Sequence, residues 1–404
     1  MKSEWSKISL IFLFIVALVG TFLRSANYIP IFLEYANLVH AHSHIAFQGW
    51  IYTIMILLLT NIYVDKERIK AGNYSLQFKL TIVVTLGILI SFALQGYGLY
   101  SIIFSTLFQF LNYWFIYRFI KDTRQLKSAH KNLVSLRIIK VGLVFGILST
   151  LMPYGIGILA AKGHGGTEIY QSFVYTFLHL QYNGWFLFVV LGLFYKFLEN
   201  NSIPYNQKHA TWFFRLFTFA VIPAISLSLI GMSFSDYFKV IAFVTAILLG
   251  AAFLFFIKSL PSNLFNLIQA KSKLLRLFIT VFLASFTLKM ILQCSSVLPL
   301  FESFAFFNKP IILAYLHLSL IGSISFLFLA WMFEMQWLSN SKLTTAGGVS
   351  FVLGFISTEL SLILSGLAWY NNNIILLAGS AAMAIGILLL LISKVNKKVV
   401  KIEG

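Results

Sequence analysis

Residues 44–50 read His-Ile-Ala-Phe-Gln-Gly-Trp, and the pattern H-x-x-x-x-G that they contain occurs twice more in the chain. Residues 179–185 read His-Leu-Gln-Tyr-Asn-Gly-Trp, and residues 317–323 read His-Leu-Ser-Leu-Ile-Gly-Ser. The three copies are separated by 135 and 138 residues, close to one third of the 404-residue chain, and each leads into a long apolar run. Self-similarity at a nearly fixed spacing is typical of repeat architectures. The pattern therefore predicts three equivalent structural units.

The composition excludes a soluble enzyme. Of all residues, 59% are hydrophobic and 10% are charged, whereas soluble domains are about 45–50% apolar and about 25% charged. A helix that crosses a bilayer needs about 20 apolar residues, and twelve apolar runs are long enough. They lie at 8–24, 38–63, 79–97, 100–120, 140–161, 170–198, 212–233, 237–258, 274–297, 310–333, 345–368 and 371–393. We therefore predict an all-α polytopic membrane protein.

The repeat and the spans together predict one integral membrane domain, 1–404, built from three pseudo-repeats of four helices. The repeats cover about 1–135, 136–273 and 274–404, and the three patterned histidines fall on spans 2, 6 and 10. The glycine in each copy, at Gly49, Gly184 and Gly322, would let a neighbouring helix or a flat ligand approach closely.

The net charge of +18 is explained by the loops rather than by nucleic acid. Of the 30 Lys and Arg residues, 25 lie on the side of the two termini and 5 on the other side. Because cytoplasmic loops carry the excess of basic residues, both termini are predicted to be cytoplasmic. The topology suits a bacterial inner membrane. The lipid bilayer is the expected partner, and no nucleic acid is expected.

The three patterned histidines lie at similar depth. At ~1.5 Å per residue, His44, His179 and His317 are about 9, 14 and 11 Å below the outer ends of their spans. Intramembrane histidines are costly and face the bundle interior, so three at one level suggest a metal or haem site. The alternative for each is a structural hydrogen bond to a neighbouring helix.

Two further histidines, His40 and His42, precede His44. Positions 40 and 44 share one helix face, while position 42 points elsewhere. Both are candidate metal ligands, and both could instead be interfacial residues. A copper or zinc site of His40, His42, His44 and His164 is another hypothesis, and it requires an unwound helix start because two residues at i and i+2 cannot chelate one ion.

Glu359 is the acidic residue that stands out, because it lies in span 11 at the depth of the histidine layer. It could hydrogen-bond a ligand or carry a proton, or it could form a structural pair with Lys289 of span 9. Gly49, Gly322 and Tyr182 are predicted to line the cofactor slot.

Twelve spans in three repeats of four, cytoplasmic termini and histidines on spans 2, 6 and 10 resemble subunit I of the haem–copper oxidase superfamily. The run His40-Ala-His-Ser-His-Ile-Ala-Phe-Gln-Gly-Trp50 is similar to the histidine-rich start of NnrS-type membrane haem–copper proteins. The resemblance implies a haem held by His44, or by His42 if the register differs by two, and by His317 on the opposite face. It implies copper binding by His179.

The chain departs from that superfamily in two places. Span 7, residues 211–233, contains no histidine, and His317 is the single histidine on span 10. The resemblance therefore implies an incomplete copper site and no ligand for a second haem, which argues against a full oxygen- or NO-reducing centre.

The favoured hypothesis is a membrane haem or haem–metal protein in electron transfer, respiratory accessory work or the handling of O2 or NO, with electron-donor subunits as partners. The sequence leaves open whether it is an enzyme, and an oxidoreductase is the class that would fit. The alternatives are a secondary transporter without cofactor and the copper- or zinc-binding protein described above.

Overall fold

The computed structural model describes residues 4–124, 133–233, 236–269 and 271–393. Helices joined by short connections make up this part, and no strand occurs in the described ranges. Eleven of the described helices are long and apolar enough to cross a membrane, which confirms the predicted all-α polytopic membrane protein. The basic segments 125–132, with His130, and 394–404 lie outside the described residues.

The helices are labelled in chain order, with the shorter helix discussed below included as α7. They are α1 Trp5–Ser25, α2 Tyr35–Tyr63, α3 Tyr74–Gln95, α4 Leu99–Thr123, α5 Val134–Ala161, α6 Glu168–Asn200, α7 Gln207–Val221, α8 Phe238–Ser259, α9 Lys273–Ser295, α10 Lys309–Glu334, α11 Lys342–Gly366 and α12 Asn373–Ile392.

The seventh predicted span, 212–233, is not one continuous helix. Helix α7 has 15 residues, about 22 Å at ~1.5 Å per residue, and is by itself shorter than a bilayer core of about 30 Å. A 3₁₀ turn, Pro223–Ser228, follows it directly. Proline has no backbone N–H to continue the α-helical hydrogen bonds, so the α-helix ends here and the seventh predicted span continues as a 3₁₀ turn.

The contacts between helices repeat every four spans. The first helix of each predicted repeat packs against the second, as α1 on α2, α5 on α6 and α9 on α10. The third packs against the fourth in the same way, and the fourth contacts the first helix of the next repeat. Because α12 also packs against α1, the twelve helices close into a ring. This arrangement agrees with three repeats of four, while the repeat boundaries near 135 and 273 stay predictions.

The second helices of the repeats form the centre of the bundle. In the most apolar stretches of α2, α6 and α10, 78, 89 and 56% of the residues are buried, against 50% or less in the other candidate spans of the described part. Two tryptophans link them. Trp50 Nε1 donates to Ser325 Oγ at 2.8 Å, and Trp331 Nε1 donates to the Leu193 carbonyl at 3.1 Å.

The three repeat glycines have equivalent roles in packing. A Cβ added at Gly49 would lie 3.1 Å from Phe12 of α1, and one at Gly184 would lie 3.0 Å from Phe145 of α5. At Gly322 the distance to the Ser285 Cβ of α9 would be 2.6 Å. Each glycine therefore lets the first helix of its own repeat approach, which is the role expected of small residues between membrane helices.

Each patterned histidine is followed directly by a short π-helical segment. These segments are Ile45–Ile51, Leu180–Phe186 and Leu318–Ser325. Single π-helical turns are rare and are frequently found at functional sites. Their recurrence on α2, α6 and α10 is a second sign, independent of the sequence pattern, that these three places are equivalent.

Candidate functional site

The side chain of His42 faces helix α1, whereas the side chain of His44 does not. A Cβ added at Gly20 of α1 would lie 3.0 Å from the His42 Cε1 atom, so the missing side chain leaves room for the ring. The Nδ1 atom of His42 is buried and has no hydrogen-bond partner. A buried nitrogen without a partner is costly, and such an atom in a native structure calls for an explanation.

His44 turns to the opposite side of α2. Its ring stacks on Phe92 of α3 with centroids 3.9 Å apart, and its Nε2 atom lies 3.3 Å from the Tyr97 hydroxyl. His40 contacts the same two aromatic residues, which confirms that positions 40 and 44 share a face. His40 and His44 are therefore held by aromatic packing between α2 and the α3–α4 turn.

His317 of α10 faces Glu359 of α11. Its Nδ1 atom lies 3.8 Å from the Glu359 Oε1 atom, and both atoms are buried without a hydrogen-bond partner. This distance is beyond that of a hydrogen bond. The predicted alternative, a pair of Glu359 with Lys289, is not observed among the described residues, where Lys289 Nζ donates to Gln293 Oε1 at 2.7 Å.

One further charged residue joins these groups. Arg24, near the end of α1, is within electrostatic range of His42, His317 and Glu359, and His42 is within range of His317. Arg24, His42, His317 and Glu359 thus form a polar cluster contributed by α1, α2, α10 and α11. We call it the Arg24–Glu359 cluster.

His179 lies in a different environment. Its Nε2 atom is 3.0 Å from the Val221 carbonyl, and its Nδ1 atom is 3.2 Å from the Asn183 side-chain nitrogen. Val221 is the last residue of α7, where carbonyls have no partner within the helix, and His179 supplies one. Both ring nitrogens of His179 are therefore in hydrogen bonds, and neither is free for a metal. The residue lines a cavity instead.

A cavity of about 690 Å³ lies between α6, α9, α10 and α11. His179 and Tyr182 of α6 and Glu359 of α11 line it. Glu359 therefore borders both the cavity and the Arg24–Glu359 cluster. The other two residues predicted to line a cofactor slot, Gly49 and Gly322, are packed against neighbouring helices instead.

The structure places His317 beside Glu359 and within electrostatic range of His42, and it places His40, His44 and His179 elsewhere. In the described ranges, no three His, Cys, Asp or Glu residues are grouped as they would be around a metal ion. A haem requires less of the protein, because the porphyrin supplies four ligands and the chain only one or two axial ones.

Two parts of the site were not found from the sequence. Arg24 is the last residue of the first predicted span, 8–24, and a basic residue at the end of an apolar run is the signal that could identify it. Gly20 carries no motif, and its role follows only from its distance to His42. No protein-family model and no curated protein matches the chain.

Proposed function

We propose that this chain is a membrane haem protein in which His42 and His317 are the two axial ligands of one haem. The single observation that carries the proposal is the Arg24–Glu359 cluster, in which two histidines from different central helices lie within electrostatic range of each other. The resemblance to haem–copper oxidase subunit I points to the same two helices.

The residue types and the charges of the Arg24–Glu359 cluster suit a haem. Two imidazoles are common axial ligands of haem iron, and outer groups tune its potential. Arg24 provides a positive charge, which suits a cofactor that carries carboxylates. Glu359 lies beside the His317 Nδ1 atom, where a carboxylate would orient the ring and increase its basicity.

When bound, a haem with two imidazole ligands supplies one-electron transfer. The chain's residues would hold it, orient the rings and keep water away, since the central helices are buried. We propose a role in electron transfer or respiratory accessory work in a bacterial inner membrane, with an electron-donor partner. We do not extend the proposal to a copper centre, because both nitrogens of His179 are already in hydrogen bonds.

The test is the haem content of the purified protein. After expression in a haem-replete bacterial host, the pyridine haemochrome assay should give about one haem per chain, with the spectrum of a six-coordinate low-spin iron. A colourless, folded protein from the same host would contradict the proposal and favour the transporter hypothesis.

A further inference from the structure

The cavity between α6, α9, α10 and α11 opens towards the outside of the bundle. Four of the residues that line it are large apolar side chains with 41–54% of their surface exposed. They are Leu288 and Leu292 of α9, and Ile356 and Leu360 of α11. In a membrane this surface faces lipid, so an apolar molecule could enter the cavity sideways from the bilayer.

A buried lysine lies behind one wall of the cavity. Lys289 is 1% exposed, and its Nζ atom is 2.7 Å from Gln293 Oε1 and 5.7 Å from the centre of the Tyr315 ring. Gln293 and Tyr315 both line the cavity. No carboxylate forms a salt bridge with Lys289 in the described part of the chain. A charged side chain inside a membrane is costly and usually has a partner, so a ligand could supply the missing counter-charge.

The size and the lining define the ligand further. A volume of about 690 Å³ is within the usual range of roughly 300–1,000 Å³ for small-molecule sites. Most of the lining is apolar, and the polar groups are few. Lys289 lies behind this lining, so an anionic head group would be attracted to that part of the cavity.

We propose that this cavity binds a membrane-soluble amphiphile with an acyl chain and an anionic head group, whose oxygens bind at Gln293, close to the Lys289 Nζ atom behind it, while the acyl chain occupies the apolar part. A long-chain fatty acid is the simplest member of this class, and an anionic phospholipid has the same chemistry. The site does not depend on haem binding, so the two proposals can fail separately.

The experiment compares two probes of equal chain length, radiolabelled palmitate and hexadecanol. Binding is measured by scintillation proximity to the full-length protein in nanodiscs of zwitterionic lipid. Palmitate should bind at least about tenfold more tightly than hexadecanol, because only palmitate has a charge to pair with Lys289. Lys289→Met should remove this preference and leave hexadecanol binding and haem content unchanged.

Matched variants distinguish the effect of the Lys289 charge from the effect of the space in the cavity. Lys258→Met removes an exposed lysine at the far end of α8 and should leave the preference intact. Ala284→Phe, in the cavity lining of α9, should weaken both probes about tenfold or more by filling space, whereas Ala346→Phe, on α11 outside the cavity, should not. Displacement of palmitate by phosphatidylglycerol would show that an anionic phospholipid can be the ligand. If phosphatidylglycerol does not displace palmitate, the ligand is a free fatty acid.

Three results would overturn the proposal. Palmitate and hexadecanol could bind equally to the wild type, Lys289→Met could retain the full preference, or Ala284→Phe could bind both probes as the wild type does.

Discussion

The Nδ1 atom of His317 lies 3.8 Å from the Oε1 atom of Glu359, and neither atom has a hydrogen-bond partner. The two residues lie on adjacent helices, α10 and α11. A small movement of either side chain would make a hydrogen bond, since the gap exceeds hydrogen-bond length by less than 1 Å. If His317 ligates an iron through its other nitrogen, Glu359 is the group that regulates the basicity of the ring.

Glu359→Gln is therefore expected to raise the midpoint potential of the haem. An amide is a weaker acceptor than a carboxyl group for the His317 Nδ1–H, so the ring becomes a weaker donor and the ferric state less stable, and a shift of roughly tens of millivolts is expected. A spectroelectrochemical titration measures it. Glu199→Gln is the control, because Glu199 accepts hydrogen bonds from Ser135 and Tyr205 at the other end of the bundle. Equal midpoint potentials in both variants and the wild type would show that Glu359 does not influence the haem iron.

Gly20→Val is expected to lose low-spin haem. The new side chain would occupy the space of the His42 ring, whose Cε1 atom is 3.0 Å from a Cβ at position 20. Gly250→Val is the matched control, since nothing lies within 4 Å of a Cβ there. Absorption spectra of the two purified variants decide the matter, and an unchanged spectrum in Gly20→Val would show that the His42 ring does not need that space.

Gly322→Ala tests the packing of the repeats. Its Cβ would meet both Oγ and Cβ of Ser285, at 2.5 and 2.6 Å, so a change of side-chain rotamer cannot relieve the clash. We expect a loss of about 1–3 kcal/mol in the free energy of unfolding, as for other overpacked sites. Gly250→Ala should be neutral or stabilising by up to ~1 kcal/mol. Denaturation in mixed micelles measures both, and equal stabilities would contradict the close approach of α9 and α10.

The orientation in the membrane is predicted from the 25 to 5 distribution of basic residues. A phosphatase inserted at His164, in the α5–α6 connection, should be active outside the cytoplasm, because that connection is on the side with few basic residues. A fluorescent protein fused at Gly404 should fluoresce inside the cell. Assignment of both sites to the same side would refute the predicted topology.

The sequence predicted the fold well because the membrane restricts it strongly. Apolar runs and loop charges reveal spans directly, and the H-x-x-x-x-G pattern indicated the helices that now form the centre. Two of the predicted spans are interrupted in the described residues, just before Pro153 and at Pro223, and in both the signal is the proline itself. A hydropathy average hides that signal, because the residues on both sides are apolar.

The candidate site was predicted only in part, for a geometric reason. The sequence favoured His44 because it begins the repeated pattern, and it gave His42 as the alternative. Two positions on a helix that differ by two residues point about 200° apart, so the choice depends on the rotation of α2 about its axis. That rotation is determined by packing against α1 and α3, through Gly20 and Phe92, and no local pattern encodes it.

The most direct test of the central claim compares His42→Ala with His44→Ala in reduced-minus-oxidised difference spectra of the purified protein. We predict that His42→Ala and His317→Ala lose the low-spin haem bands, while His44→Ala and His179→Ala keep them. Loss of the bands in His44→Ala and their retention in His42→Ala would contradict the account.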